Sequence, residues 1–238
     1  MTKRNSVIIF DTDGTLMDGR CAVIDAVAEG LNSTYRHFEL PVPEPDRERI
    51  SLAMGLPTST FFRTAFTPHT VPADMHDPFA CEFEIQSTRA EIAALRDGKS
   101  QLYEGAKDTL TSLRDQGHDL ALFSNASEPY FQTVIEVHRL DHWFGRALSL
   151  EYAVRRRLAR NKSGMIRYLS QGYKQVVVVG DRIHDIEAGK KQGALTVGCV
   201  YGFGAADELK DADWRIERLS EILALPLSNT DAEQAAKS

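Results

Sequence analysis

Two acidic residues directly follow a short apolar segment near the N-terminus. The run Val7–Phe10 is followed by Asp11, and Asp13 and Gly14 come next. A continuous apolar run of this kind is typical of a strand buried on both faces, and ligands bind at the carboxyl ends of such strands. Two carboxylates so close together repel each other unless a positive charge lies beside them. The same residues could also form a simple turn with Asx hydrogen bonds, so this segment alone leaves both interpretations open.

A second pair of acids follows a later apolar run. Asp181 and Asp185 come after Val176–Val179 and lie one helical turn apart, so both can face one point. By themselves they are equally typical of a helix N-cap and an exposed acid. Combined with Asp11 and Asp13 across a parallel sheet, they predict a cluster of four carboxylates around a cation. Because all the ligands are hard oxygen atoms, the predicted cation is Mg²⁺.

Three further residues could bind an anion at the same edge of the sheet. Ser124 and Asn125 follow the apolar run Leu120–Phe123, and Lys162 opens the amphipathic segment Ser163–Leu169. Serine and asparagine are also common as turn or cap residues, and a lysine in a basic stretch is often solvated. Considered together with the acids, the three side chains are candidate donors to a phosphoryl group whose charge the metal shares.

The elements that must position these residues alternate along the chain. Apolar runs typical of buried strands are separated by segments of helical periodicity, which predicts a parallel sheet with helices on both faces. The runs are Val7–Phe10, Leu120–Phe123, Val176–Val179 and Leu195–Val200, and the helical segments are Ala106–Leu113, Pro129–Leu140, Ser163–Leu169 and Ile183–Gln192. The predicted fold class is therefore α/β, with a Rossmann-like core.

The segment between the first strand and the first of these helices is different in character. Cys21–Lys99 lacks a buried-strand run, repeats its apolar residues at helical spacing and holds seven of the nine prolines. We interpret it as an α-helical cap subdomain inserted into the core. The predicted domains are a catalytic core at 1–17 and 101–227, a cap at 18–100 and a flexible polar tail at 228–238.

Composition excludes several classes of protein. The 28 Lys and Arg residues against 34 Asp and Glu residues give a formal charge of −6, which argues against a surface built to bind nucleic acid or anionic membranes. The basic stretch Arg155–Arg157 is interpreted as a solvated loop because no aromatic residues interleave it. No apolar run is long enough to span a membrane, and no export signal is recognisable, so we expect a cytoplasmic protein. The oligomeric state is not indicated.

The ordered motifs carry a family resemblance. Asp11-x-Asp13-Gly-Thr-Leu, Ser124-Asn125, Lys162 and Gly-Asp181-x-x-x-Asp185 resemble the four motifs of the haloacid dehalogenase-like (HAD) superfamily. The resemblance extends over residues 7–225, and the helical insert is similar to the α-helical cap of the phosphoglycolate phosphatase-like subgroup.

One departure from the subgroup concerns the lysine motif. Ser163 and Gly164 follow Lys162, where the subgroup commonly has proline. The identification of Lys162, rather than Arg160, as the basic residue of this motif therefore depends on its position directly before a helix.

The resemblance implies a role for each motif residue. Asp11 would be the nucleophile that forms an aspartyl-phosphate, and Asp13 would be the general acid and then the general base. Ser124 and Lys162 would bind the phosphoryl oxygens, with Asn125 shaping the loop.

The resemblance also implies a magnesium site. Asp11, the backbone carbonyl of Asp13 and Asp181 would bind Mg²⁺, and Asp185 would bind it through water or steady the site. The implied protein is a Mg²⁺-dependent phosphatase for a small phosphorylated metabolite such as phosphoglycolate, a nucleotide or a sugar phosphate. Two alternatives stay open: a phosphomutase on the same scaffold, and a non-enzymatic phospho-accepting regulatory domain. The length, the insert and Asp13 argue against the second alternative.

Overall fold

The computed structural model describes residues 4–56 and 58–227. The tail predicted at 228–238 lies outside these residues. The chain forms two compact units. The sheet unit consists of the residues up to Asp18, Leu102–Ser124 and the residues from Arg139 onward, and the helical unit consists of Gly19–Gln101 and Asn125–His138.

Strands and helices alternate along much of the chain, as in other α/β proteins. The strands are β1 Arg4–Phe10, β2 Met17–Asp18, β3 Gln101–Leu102, β4 Asp119–Ser124, β5 Arg146–Ser149, β6 Tyr173–Gly180, β7 Leu195–Cys199 and β8 Trp214–Ile216. The α-helices are α1 Arg20–His37, α2 Arg47–Ala53, α3 Thr58–Thr64, α4 His76–Arg96, α5 Ala106–Asp115, α6 Glu128–His138, α7 Leu150–Arg155, α8 Lys162–Leu169 and α9 Ile183–Lys191. Short 3₁₀ helices occupy Pro68–Thr70, Ala73–Met75, Leu140–His142, Ala206–Leu209 and Leu219–Ala224.

Six of the strands form one parallel sheet in the order β5-β4-β1-β6-β7-β8. Phe10 pairs with Leu122 of β4 on one side and with Val179 of β6 on the other. The residues that follow these three strands therefore emerge at the same edge of the sheet. Because β4 and β5 lie on one side of β1 and β6 to β8 on the other, this edge is the switch point at which open α/β sheets bind ligands.

Helices cover the sheet on both faces, and the predicted α/β class is confirmed. Val7 and Ile9 belong to one buried apolar cluster with Ile166 of α8, and α7 and α9 contribute to the same cluster. Phe10 points the other way, and its ring meets that of Phe144 edge-on with centroids 6.0 Å apart. All four residues Val7–Phe10 are at most 1% exposed, as expected for a strand covered on both faces.

Two edge strands, β5 and β8, were not predicted from the sequence. Both are short, and each has an exposed arginine, Arg146 or Arg215, within it. An edge strand is covered less completely than a central one, so its residues do not form a continuous apolar run.

The helical unit has an aromatic core of its own. The Phe79 ring lies 4.9 Å from Tyr35 and 5.0 Å from Phe66, and Phe62 lies 5.0 Å from Phe83, measured between ring centroids. The four phenylalanines are therefore buried core residues of this unit. Among the described residues, no helix combines the length and apolar composition needed to cross a membrane.

One segment clusters differently from the expectation. Residues 125–138 were assigned to the core, but they group with the helical unit because α6 packs against α4. The cap limits at 18 and 100 stay a prediction.

Candidate active site

Asp11 lies at the end of β1 and is paired with a buried lysine. Its backbone N–H donates to Val179 O over 2.9 Å, which continues the ladder between β1 and β6. Lys162 Nζ donates to Asp11 Oδ1 at 2.9 Å and to Asp185 Oδ1 at 2.5 Å. Lys162 is 7% exposed, whereas Arg160 is exposed, so the structure places Lys162 and not Arg160 beside Asp11.

Local sequence explains why Lys162 opens a helix. Asn161 is the N-cap of α8, and its side chain accepts a hydrogen bond from Gly164 N at 2.9 Å. An asparagine at this position satisfies one of the free N–H groups of the first turn. The cap therefore sets Lys162 as the first residue of the helix without any need for the proline that is common at this point.

Three buried carboxylates converge around this lysine. Asp11, Asp181 and Asp185 each offer a ligand oxygen, and these oxygens lie within 4.8 Å of one another. Asp181 follows β6 and Asp185 lies in the first turn of α9, where its Oδ2 accepts from Arg182 N at 3.0 Å. The parallel pairing of β1 with β6 thus brings together acids that are about 170 residues apart in sequence.

Asp181 is fully buried and both of its oxygens are held. Thr15 Oγ1 donates to Oδ1 at 3.3 Å, and the backbone N–H of Phe203 donates to Oδ2 at 2.7 Å. Gly14 has a φ of +79°, and a side chain at this position would overlap the Asp181 carboxylate. The glycine therefore allows both the left-handed turn and the close approach of Asp181.

Asp13 does not join the other three acids. Among the described residues, the carboxylates that lie within 4.8 Å of one another are those of Asp11, Asp181 and Asp185, without Asp13. The Asp13 side chain is half-buried. The expected cluster of four carboxylates is thus a cluster of three. Asp13 lies in the tight turn after β1, in which Thr12 O accepts from Leu16 N at 2.9 Å and from Met17 N at 3.1 Å, rather than at the strand end.

Ser124 and Asn125 belong to different units. Ser124 is the last residue of β4 and is buried, at the same sheet edge as Asp11. Thr12 Oγ1 donates to Phe123 O at 3.0 Å and so ties this strand end to the turn after β1. Asn125 lies in the helical unit, where its Nδ2 donates to Gly55 O at 3.0 Å. Their roles in binding substrate stay predictions.

The profile described as "Haloacid dehalogenase-like hydrolase" matches residues 8–199. The chain belongs to this family. The family predicted from the four motifs is thus confirmed, and the chain is a hydrolase of the haloacid dehalogenase-like type.

Two relatives and one solved structure match this hydrolase over nearly their whole length. Pyrophosphatase PpaX of Anoxybacillus flavithermus is 24% identical over 225 residues, which cover 92% of this chain and 96% of the relative. Phosphoglycolate phosphatase of Mannheimia succiniciproducens is 24% identical over 231 residues, covering 94% and 100%. The crystal structure of a predicted phosphoglycolate phosphatase from Haemophilus somnus matches with a TM-score of 0.73 and 24% identity, covering 92% of this chain and 97% of the other. At this identity, the structural match supports the shared fold.

Burial and the neighbouring charges shift the pKa values of the site residues in this hydrolase. Burial raises the pKa of Asp11 well above its usual range, the charge of Lys162 opposes the shift, and Asp185 and Asp181 add to it. Burial, followed by repulsion from Asp185, raises the pKa of Asp181 to about 6. Burial alone would lower the pKa of Lys162, but Asp11 and Asp185 outweigh it and raise that pKa above its usual value.

The residues present fit a bound divalent cation. Three ionised carboxylates and one ammonium group leave an excess of two negative charges in a buried site. A divalent ion would balance that charge, and three oxygen donors within 4.8 Å of one another suit a hard cation such as Mg²⁺. The shifts of the two aspartate pKa values have the same origin, because both carboxylates are desolvated beside other carboxylates.

Sequence reasoning did not single out two groups that orient Asp181. Thr15 lies within the motif that begins at Asp11, and the residue types of that motif indicate no role for its hydroxyl. Phe203 acts through its backbone N–H, which every residue except proline has, so residue type carries no signal for it. The two flanking glycines, Gly202 and Gly204, are a sequence signal of a close backbone approach at this loop.

Proposed function

We propose that the chain is a Mg²⁺-dependent phosphatase that hydrolyses a small-molecule phosphate monoester through an aspartyl-phosphate on Asp11. The observation that carries the proposal is the buried pair of Asp11 and Lys162, 2.9 Å apart at the end of β1, with Asp181 and Asp185 beside it. A carboxylate that attacks a phosphate dianion meets charge repulsion. A lysine and a metal ion at the same point offset that repulsion.

The first half of the reaction uses four side chains. An oxygen of Asp11 attacks phosphorus, and the bond from phosphorus to the leaving oxygen breaks. Asp13, in its protonated form, gives its proton to that oxygen. Lys162 and the Ser124 hydroxyl donate hydrogen bonds to the phosphoryl oxygens, whose charge would otherwise repel the nucleophile.

The second half regenerates the enzyme. Asp13, now a carboxylate, takes a proton from water as the water oxygen attacks phosphorus. The bond between phosphorus and the Asp11 oxygen breaks, so inorganic phosphate leaves and Asp11 is again a carboxylate. General acid and base catalysis of this kind contributes about 10²–10⁴-fold in rate.

Mg²⁺ would be held by Asp11, the backbone carbonyl of Asp13 and Asp181, with Asp185 steadying the site. When bound, it supplies positive charge to a phosphoryl oxygen. Thr15 and the backbone of Phe203 support this assignment, because they hold Asp181 in one orientation without entering the reaction themselves.

The substrate class is small phosphorylated metabolites. The relatives named pyrophosphatase and phosphoglycolate phosphatase make pyrophosphate and phosphoglycolate the first compounds to test, followed by nucleotides and sugar phosphates. A cytoplasmic location and the lack of nucleic-acid and membrane partners stay predictions.

The test is release of inorganic phosphate by the purified protein with and without Mg²⁺. The substrates are p-nitrophenyl phosphate and a panel of the compounds above. Asp11→Asn removes the nucleophile, and Asp115→Asn, at an exposed acid at the end of α5, is the matched control. We expect Mg²⁺-dependent hydrolysis by the wild type and the control only. Hydrolysis that is no faster than in Asp11→Asn contradicts the proposal.

The two alternative functions give different products. A phosphomutase would convert a hexose 1-phosphate into its isomer without free phosphate, as followed by phosphorus NMR. A regulatory domain would keep a phosphorylated Asp11 for hours after treatment with acetyl phosphate. We do not expect a persistent phosphorylated Asp11, because Asp13, in the turn directly after Asp11, would activate water there. The NMR experiment distinguishes the phosphomutase from the phosphatase.

A further inference from the structure

The orientation of Asp181 depends on the loop that follows β7. One carboxylate oxygen of Asp181 accepts from the backbone N–H of Phe203 at 2.7 Å, which is the shorter of the two hydrogen bonds that orient this side chain. The loop must therefore stay in place for Asp181 to stay in place.

This loop lies in direct contact with Asp181. A side chain added at Gly202 would overlap the Asp181 side chain, and one added at Gly204 would overlap the Asp181 carbonyl oxygen. There is no room between the loop and Asp181 to absorb a shift. Residues 200–205 belong to no strand or helix. Backbone hydrogen bonds from Val200 N to Ile216 O at 3.0 Å and from Gly202 N to Cys199 O at 3.1 Å hold the start of this loop, so its far end depends more on side-chain contacts.

The Glu208 carboxylate links this loop to the start of α9. Glu208 Oε1 accepts from Ala205 N at 3.3 Å, and its Oε2 accepts from Arg182 Nε at 3.0 Å and from Ile183 N at 3.2 Å. Ile183 is the first residue of α9, so its N–H is one of the donors that a helix leaves free. A carboxylate at this position also interacts favourably with the helix dipole.

Arg182 extends the link from Glu208 to Asp185. Its side chain donates to Glu208, and its backbone N–H donates to Asp185 Oδ2 at 3.0 Å. Asp185 in turn accepts from Lys162. Glu208 thus contacts the segment that carries Asp185 as well as the loop that holds Asp181, although it is not a member of the acidic group around Lys162 within the described residues.

We propose that Glu208 is a positioning residue for the two metal-facing carboxylates, Asp181 and Asp185. It ties the loop after β7 to the first turn of α9, so that neither carboxylate can turn away from the third, Asp11. This inference rests on the proposed function for its consequence, Mg²⁺ binding. Groups that orient metal ligands from behind typically change metal affinity by about 10–100-fold when they are removed.

The chain offers a matched control for this carboxylate. Glu221 also lies in a short 3₁₀ helix, and it accepts from a backbone N–H, that of Glu217, at 2.9 Å and from Arg218 Nε at 3.4 Å. Its hydrogen bonds are of the same kind as those of Glu208, but they connect neither to Asp181 nor to Asp185.

The first measurement is Mg²⁺ affinity by isothermal titration calorimetry. We expect Glu208→Ala to weaken Mg²⁺ binding by about tenfold or more, and Glu221→Ala to leave it within twofold of wild type. Glu208→Gln keeps the side-chain shape and one acceptor oxygen, so its Mg²⁺ affinity should lie between those of Glu208→Ala and Glu221→Ala. It replaces the alanine variant in this measurement if that variant folds poorly. Unchanged Mg²⁺ affinity in both Glu208 variants overturns the proposal, and so does an equal loss in Glu221→Ala.

The second measurement needs neither metal nor substrate. Amide hydrogen exchange followed by NMR reports whether the Phe203 and Ile183 N–H groups are still held. We expect exchange at both amides to accelerate at least severalfold in Glu208→Ala and to be unchanged in Glu221→Ala. If the wild type itself binds no Mg²⁺, the proposed function fails, and the exchange data by themselves then test whether Glu208 holds the loop. Unchanged exchange at the Phe203 amide in Glu208→Ala overturns this role of Glu208.

Discussion

Lys162 Nζ lies 2.9 Å from Asp11 Oδ1, although the two residues are 151 positions apart in the chain. Lys162 also donates to Asp185, so one ammonium group serves two of the three buried carboxylates. In the proposed reaction, this ammonium group would neutralise the carboxylates before the substrate binds and the phosphoryl group while it is transferred.

Replacing Lys162 tests this relationship. We expect Lys162→Met to lower kcat/KM for the best substrate by about 10²–10³-fold, as when one group that stabilises a transition-state charge is removed. Arg160→Met is the control, because Arg160 is the neighbouring exposed base that the sequence could not exclude. Steady-state kinetics with p-nitrophenyl phosphate decides, and a larger loss in Arg160→Met than in Lys162→Met would reverse the assignment.

Mg²⁺ should stabilise the folded protein. When all three buried acids are ionised, they carry more negative charge than Lys162 balances. An ion that binds only the folded state adds about 2.7 kcal/mol at a hundredfold excess over its Kd. Thermal unfolding with and without millimolar MgCl₂ measures the shift in Tm. NaCl at the same ionic strength should have little effect, and Asp181→Asn should reduce the Mg²⁺ shift. Equal shifts with both salts would mean that no Mg²⁺ site exists at these carboxylates.

Two glycines with similar positive φ angles should differ in their response to alanine. Gly14 has a φ of +79° and faces Asp181, whereas Gly105 has a φ of +73° and would place an added Cβ with no atom within 4 Å. Gly105→Ala should therefore cost only the strain of the left-handed conformation, about 1 kcal/mol in the free energy of unfolding. Gly14→Ala should cost more and should also weaken Mg²⁺ binding, because the new methyl group displaces Asp181.

Urea unfolding and Mg²⁺ titration of both variants check this pair. Equal losses of stability, with unchanged Mg²⁺ affinity in Gly14→Ala, would show that the space beside Asp181 is larger than the structure indicates.

Asp213 should make the stability of the sheet unit depend on pH. Burial alone would raise the pKa of Asp213, but hydrogen bonds from Thr196 and the charge of Lys190 outweigh it and hold the pKa below its usual value. A group with a depressed pKa contributes stability above the pKa of the unfolded state and loses it as the pH falls through the folded pKa. We therefore expect Asp213→Asn to reduce the free energy of unfolding at pH 7.

The pH series is the decisive part of that test. The difference between wild type and Asp213→Asn should shrink as the pH falls below about 4, the usual pKa range of an aspartate. Urea unfolding of both proteins at several pH values between 3 and 7 measures it. A difference that does not change with pH would mean that the hydrogen bonds to Thr196, and not the charge, account for the contribution of Asp213.

The central strands and the site residues that follow them were predictable for one physical reason. A strand buried on both faces needs consecutive apolar residues, so β1, β4, β6 and β7 are visible as short runs. The polar residues that end such strands are then visible as well. The edge strands β5 and β8 escape this reasoning, because partial exposure permits polar residues within them.

The sequence by itself determined which groups are available, namely carboxylates at 11, 13, 181 and 185 and a lysine at the start of α8. Only the tertiary structure decided which of them meet. It placed Asp13 outside the group of three carboxylates, and it supplied Phe203 N–H as a partner for Asp181. The physical reason is that these contacts depend on strand order, on turn geometry and on backbone donors that almost every residue type shares, none of which a local pattern of side chains records.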